Sequence, residues 1–306
     1  MARILTLTLN PALDLTVRLA RLEPGEVNRS ETLLTHAAGK GVNVAQVLAD
    51  LGHDVSVGGF LGAANPEAFD ALIASRGFGD AFVRVPGETR SNIKIAEQDG
   101  RVTDINAPGP QVTEQAQNAL LEKLAQIAPG FDAVVVAGSL PRGVSAQWFQ
   151  RLVTELKSLG LKVALDTSGE ALRAGLKAGP WLVKPNTEEL ADALGHAPDA
   201  ISQLHLQGVE HVVVSDGAAG VSWYSSNATL HATPPKVTVA STVGAGDSLL
   251  AGMLHGLLSG DTPEQTLRRA TAIAAMAVTQ IGFGISDDAQ LARLESGVVV
   301  RTLTEQ

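Results

Sequence analysis

The 306-residue chain has no cysteine, which excludes a disulfide framework, a thiolate metal centre and a cysteine nucleophile together. It also has no basic block: 23 Lys and Arg stand against 32 Asp and Glu, a formal net charge of −9. Binding along a nucleic-acid backbone needs clustered positive charge, so that partner is excluded and any phosphate must be held locally. Long apolar runs are missing as well. The stretch Ala270 to Val278 falls far short of the roughly 20 residues that span a bilayer and reads as a buried helix. Met1 to Leu15 contains one basic residue, and its apolar stretch is broken by Thr6, Thr8, Asn10 and Pro11, too interrupted for a signal peptide. The expectation is a soluble cytoplasmic protein with no membrane partner.

What the chain does have is a globular balance of 45% hydrophobic and 18% charged residues, enough to bury a core. Arg3 to Leu9, Ala133 to Val136, Val163 to Leu165, Trp181 to Val183 and Val212 to Val214 read as strands, the last four as short apolar runs covered on both faces. Ser145 to Leu159, Thr187 to Leu194 and Ser248 to Leu258 carry apolar residues at three- and four-residue spacing and read as helices. Strands alternating with helices predict an α/β fold built on a mostly parallel sheet. Two stretches differ. Leu13 to Leu19 alternates apolar and polar residues before a turn at Glu23 to Glu26, and Ile93 and Ile95 alternate before an Asp99-Gly100 hairpin turn. The expected arrangement is a core of residues 1–11, 36–86 and 108–306, with residues 12–35 and 87–107 forming a small β-sheet lid over a cleft. There is no internal repeat and no low-complexity linker.

Chemistry concentrates in a few glycine-rich segments. Ser241 to Ser248 lies between a strand-like stretch, Val237 to Ala240, and a helix. Glycines at a helix start let backbone amides approach an anion, where the helix dipole adds to the attraction. Asp247 then stands in the first turn, placed to take a proton from an attacking hydroxyl. Plain helix capping would use the same residue types. Ala37 to Asn43 also opens a helix and offers amides, an ammonium and an amide side chain to a polar ligand. Neither segment is a standard nucleotide motif: Gly39-Lys40-Gly41 lacks the first glycine and the hydroxyl residue of a Walker A loop, and Leu249 replaces the third glycine of a dinucleotide fingerprint.

Ala38 to Ala45, Lys184 to Leu190 and Ser241 to Ser248 resemble, in order and spacing, the signatures of the ribokinase/PfkB carbohydrate kinase family. Asn10 to Asp14 and Ala137 to Pro141 extend the resemblance over essentially the whole chain. His36 to Gly41, Gly58 to Gly62, Asp99 to Asp104 and Trp181 to Asn186 are most similar to the phosphosugar kinases of that family.

The resemblance implies a ribokinase-like fold with helices on both sheet faces, and ATP-dependent phosphorylation of fructose 1-phosphate at O6. Fructose 6-phosphate and tagatose 6-phosphate remain alternative substrates, and a non-catalytic binder of sugar phosphate or nucleotide remains an alternative class. Asp247 matches the family's base, and the amides of Gly244, Ala245 and Gly246 match its anion hole. On the sugar side, Asp14, Gly39, Asn43 and Ser139 match substrate contacts, Arg90 matches a contact to the phosphate already present, and Lys40 offers a second cation. On the nucleotide side stand Lys184, Asn186, Ser215, Gly217 and Thr242, with Glu189 supporting Mg²⁺ through water. Asp216 departs from the pattern, which commonly has an uncharged residue there. The resemblance also implies a homodimer whose small sheets clasp, which would cover their exposed edges.

Overall fold

Every residue of Arg3–Thr8 after Arg3 is buried, and this run forms β1 in the middle of a large sheet, as a strand covered on both faces requires. The computed structural model describes residues 1–30, 32–195, 199–280 and 282–303; Glu31, in the first expected lid stretch, lies outside them. After β1 come β2 (Ala12–Leu19), β3 (Thr32–Ala38), α1 (Lys40–Asp50), β4 (Asp54–Gly62), α2 (Glu67–Arg76), β5 (Gly79–Val85), β6 (Arg90–Glu97) and β7 (Val102–Asn106). Then follow α3 (Glu114–Ile127), β8 (Ala133–Ala137), α4 (Ala146–Ser158), β9 (Lys162–Asp166), α5 (Gly169–Lys177), β10 (Leu182–Val183), α6 (Thr187–Leu194), α7 (Ala200–Leu206) and β11 (His211–Ser215). The chain closes with β12 (Val221–Ser225), β13 (Ala228–Thr233), α8 (Ala245–Ser259), α9 (Pro263–Ala277), α10 (Asp288–Gly297) and β14 (Val299–Thr302).

The large sheet has ten strands in the order β14-β13-β12-β11-β10-β9-β8-β1-β4-β5. Pairings from β5 to β11 are parallel, and β12 to β14 add an antiparallel edge. Alternate side chains feed two cores, since successive residues of a strand point to opposite faces. Ile4 joins α1, α8 and α9 on one face, while Leu5 and Leu7 join α3, α4 and α5 on the other. The expected mostly parallel sheet with helices on both faces is thus found.

The small sheet has the order β3-β2-β6-β7 and joins the two excursions through a parallel pairing of β2 with β6, which sets Asp14 opposite Asn92. The expected strand at Val237 to Ala240 does not form. Pro234 and Pro235 remove two ladder donors just before it. Farther on, the amides of Ala240 and Ser241 donate to the Val278 carbonyl, at 2.7 and 3.2 Å, instead of to a neighbouring strand.

Helix α8 carries Asp247 in its first turn and packs closely on α9. A Cβ at Gly252 would lie 2.6 Å from the Ala270 Cα, a contact that must be relieved by moving backbone. Gly252→Ala is therefore expected to destabilise the fold by about 1–3 kcal/mol, read as a lower denaturant midpoint; an unchanged midpoint would show that the two helices separate at no cost.

Candidate active site

The carboxyl ends of the parallel strands converge on one edge of the large sheet, where open α/β sheets characteristically bind ligands. Ser139 follows β8, Asp166 ends β9, Lys184 to Asn186 follow β10, and Ser215 ends β11. Asn186 and Ser215 are bridged directly, with the Ser215 amide donating to the Pro185 carbonyl at 3.1 Å. Helices α1 and α8 begin at the same edge.

The start of α8 is open. Gly244 is its N-cap, with φ at 83°, and no side chain caps it. Its first internal bond is donated by Ser248 to the Gly244 carbonyl at 2.9 Å, so the amides of Ala245 and Gly246 precede the helical ladder, where donors lack intrahelical partners. Glycine is required at position 244 on two counts: the positive φ, and the Phe283 ring that lies 2.5 Å from where a Cβ would stand. At Gly246 the missing Cβ would be 3.2 Å from Lys184 Nζ, which sets an ammonium against the amide cradle.

Asp247 is 5% exposed, and its Oδ2 accepts a hydrogen bond from Asn43 Nδ2 at 2.8 Å. This bond ties α1 to α8. Lys40, the first residue of α1, donates to Asp166 Oδ1 at 2.9 Å, and Lys184 Nζ lies 3.2 Å from Asp166 Oδ2. The two lysines, expected as separate contacts to sugar and nucleotide, meet on one carboxylate that is completely buried. Burial alone would raise the Asp166 pKa, but Lys184 and Lys40 hold it below the ordinary carboxylate range. Burial also opposes the charge on Lys40, and Asp166 overcomes it, so that the Lys40 pKa is raised. Asp247 has no such ion pair. Burial first, and the charge of Asp166 second, push it up to about 6, against the opposing pull of Asn43, Lys40 and Lys184.

Between the small sheet and the core lies a cleft of about 1400 Å³. Asp14, Asn92, Lys94 and Asp104 line it from the sheet, with Thr242, Val243 and Phe283 opposite. Asn92 Nδ2 donates to Asp14 Oδ1 at 3.0 Å and orients that carboxylate. Arg90 donates to the Ala107 and Asn10 carbonyls, both at 3.2 Å, while its buried Nε has no partner. Ser139 is exposed, and its hydroxyl accepts from Asn10 Nδ2 at 3.2 Å. Gly39, with φ at 140°, caps α1. Asn186 and Glu189 form a reciprocal capping box at the start of α6, so Glu189 Oε2 accepts from the Asn186 amide at 2.9 Å. Gly217, with φ at 50°, opens the turn after β11, and Asp216 accepts from Thr187 across a long 3.4 Å contact.

Sequence reasoning missed Asp166, Asn92 and Phe283. Asp166 had a usable signal: an acidic residue directly ending a parallel strand, at the edge where ligands bind. Asn92 and Phe283 acquire meaning only through partners distant in the chain.

A base-like carboxylate, an uncapped glycine-opened helix and two lysines form a site suited to phosphoryl transfer, which relies on positioning and electrostatic stabilisation. Residues 7–290 match the family model described as pfkB family carbohydrate kinase, and the chain belongs to that family. It is similar to the 1-phosphofructokinase of Vibrio cholerae serotype O1, at 46% identity over 308 residues, covering 98% of this chain and 97% of the relative. The 1-phosphofructokinase of Escherichia coli strain K12 is 47% identical over 303 residues, covering 97% of each. Among solved structures, phosphofructokinase-2 from Escherichia coli in complex with potassium matches with a TM-score of 0.87 and 28% identity, over 97% of this chain and 99% of that one. The protein is thus an ATP-dependent sugar kinase.

The raised carboxyl gives a stability test. The folded pKa of Asp247, about 6, lies above its ordinary 3.8, so the protonated form is favoured on folding and stability declines as pH rises through that interval. Asp247→Asn, which cannot ionise, is expected to gain thermal stability over the parent at about pH 8 and to lose that advantage near pH 4. A variant less stable than the parent at the higher pH would contradict the strained-charge account.

Proposed function

We propose that the protein transfers the terminal phosphoryl group of ATP to O6 of fructose 1-phosphate, giving fructose 1,6-bisphosphate and ADP, with Asp247 as the base. The observation that carries this reading is the buried Asp247 carboxylate, oriented by Asn43 beside the open amino end of α8. The names of the relatives supply the choice of sugar. Fructofuranose has a primary hydroxyl on each side of its ring, so one pocket can accept it in either orientation, and the substrate must be tested directly.

In the proposed reaction the sugar hydroxyl attacks the terminal phosphorus, the bond to the bridging oxygen breaks, and the hydroxyl proton passes to Asp247. A base with a pKa near the working pH is the effective kind. The amides of Gly244, Ala245 and Gly246, with Lys184 alongside, meet the charge on the transferring group. Asp14 holds sugar hydroxyls, Ser139 and Gly39 border the sugar, and the unpartnered Asn43 Oδ1 accepts from it. The orphaned Arg90 Nε supports a role for that guanidinium on the sugar's existing phosphate, which it can bind through more than one donor. Ser215, Gly217 and Thr242 border the nucleotide.

Mg²⁺ would neutralise the nucleotide phosphates. Among the described residues no group of three or more His, Asp or Glu is arranged to enclose a metal. That donor set fits an ion that stays on phosphates and keeps most of its water, with Asn186 and Glu189 meeting it through water.

The small sheet, residues 12–35 and 87–107, acts in this reading as a lid over the cleft, with the rest of the chain as the kinase core. Asp14, Thr16 and Arg18 of β2, Asn92, Lys94 and Ala96 of β6 and Asp104 and Asn106 of β7 line the cleft, which leaves Leu15, Val17, Ile93 and Ile105 on the opposite face. Ile105 is 53% exposed. A second copy of the chain is the proposed cover, making a homodimer that clasps through its lids. The proposed location is the cytoplasm, where ATP and sugar phosphates meet; no described helix is long and apolar enough to cross a membrane.

Purified protein assayed with fructose 1-phosphate, fructose 6-phosphate and tagatose 6-phosphate should prefer the first, and a clear preference for either other sugar overturns the assignment. Asp247→Asn is expected to lose about 10²-fold or more in kcat, and the parent's kcat should fall as pH drops below about 6 because the base must be ionised. Undiminished turnover by the variant removes Asp247 from this role. Light scattering should give twice the chain mass, with Ile105→Glu shifting the population toward monomer; a monomeric parent would refute the clasp.

A further inference from the structure

Asp166 occupies a costly position. Its side chain is wholly buried at the end of β9, where the lost hydration of a carboxylate has to be offset by close pairing, and its two partners come from different halves of the site. Lys40 starts α1 beside Gly39 and Asn43, on the sugar side. Lys184 follows β10, two residues before Asn186 on the nucleotide side, with its ammonium against Gly246. The pairings differ in kind. Lys40 makes an aligned hydrogen bond to Oδ1, whereas Oδ2 receives no aligned hydrogen bond even though Lys184 lies 3.2 Å away. Lys184 is thus held chiefly by charge, in a looser geometry than Lys40. Without Asp166 the two ammonium groups would repel each other, and Lys40, with 40% of its side chain exposed, would be free to turn to solvent.

We propose that Asp166 is a positioning residue for phosphoryl transfer, which holds Lys40 and Lys184 on either side of the transfer path through one shared carboxylate. The inference rests on the kinase reading above and extends it to a residue with no other assigned role. Asp166 also acts on the base by charge. The charged and polar groups facing Asp247 are Lys40 and Asn43 from α1, Asp166 from β9 and Lys184 beyond β10. Removing the negative charge of Asp166 therefore makes Asp247 easier to ionise, whereas Asp166→Glu, which keeps the charge, should leave its ionisation in place unless packing is lost.

The test compares the parent with Asp166→Asn, Lys40→Met/Lys184→Met and the triple variant, using fructose 1-phosphate and ATP. For Asp166→Asn the expected result is a kcat lower by about 10²-fold, the scale of a small misplacement at a reacting centre, with both KM values within about 5-fold of the parent. The acid limb of its kcat profile should move to lower pH. In the lysine-free background the same substitution should cost less than about 3-fold, because a residue that acts through the lysines has nothing left to position. Parental kcat, an unmoved acid limb, or losses that multiply with those of the lysines would each overturn the proposal. If Asp166→Asn does not fold, Asp166→Glu decides: charge retained at a shifted position should lower kcat by about 10-fold or more and leave the acid limb in place, whereas parental kcat would sink the idea. A parent that phosphorylates none of the three sugar phosphates removes the functional reading and this inference with it; an active parent beside an indifferent Asp166→Asn removes this inference alone.

Discussion

The site depends on keeping two carboxylates with opposite assignments inside a pocket largely closed to water. Asp166 is surrounded by ammonium groups and stays ionised; Asp247, a short distance away on another element, has only an amide donor and is pushed toward the neutral form. Environments that drive two acids apart in this way are how a protein divides labour between residues of one chemical type. Here one acid organises cations, and the other is left close to the threshold at which it can take up a proton. Their mutual repulsion links the two roles.

The fold makes this proximity possible through close approaches of backbone. Helix α1 starts at Lys40 against the end of β1, and a Cβ at Gly41 would lie 2.5 Å from Thr8 Oγ1. Helix α8 reaches the same place from the far end of the chain, and the bond between Asn43 and Asp247 closes a loop of more than 200 residues at a single contact. Parallel strands deliver Asp166 and Lys184 at adjacent positions because β9 and β10 are paired in register, with Val183 opposite Leu165. Each side chain is then short of freedom, which is what a reaction governed by positioning requires.

Much of this was legible where the signal is local. The helix Thr187 to Leu194 was found with its bounds unchanged, since Asn186 and Glu189 cap it from within four residues. The buried strands β1, β8, β9, β10 and β11 followed from short apolar runs, and the small sheet from two separate alternating stretches, whereas β5 and the antiparallel edge β12 to β14 were not read. The strand at Val237 to Ala240 was misread because alternation states only that a segment could pair; beyond Pro234 and Pro235 its amides met a helix end instead. Among site residues, the glycine-rich starts of α1 and α8 were visible because open helix ends need particular residues in particular order. Asp166 was missed although it ends a parallel strand, because that position marks the ligand-binding edge but does not tell a carboxylate that meets two lysines from one that meets solvent.

The order of residues alone therefore determined most of the helices and buried strands and which helix starts are opened by glycine. Those properties arise largely from interactions within a few residues, which local sequence carries. Only the tertiary structure decided that Lys40 and Lys184 share one carboxylate, that Asn43 orients Asp247, and that Asn92 holds Asp14. Lys40 meets Asp166 across 126 residues of chain, Asn43 meets Asp247 across 204 and Asn92 meets Asp14 across 78, and charges become strong only where packing has excluded water, a condition that no short stretch of chain can encode.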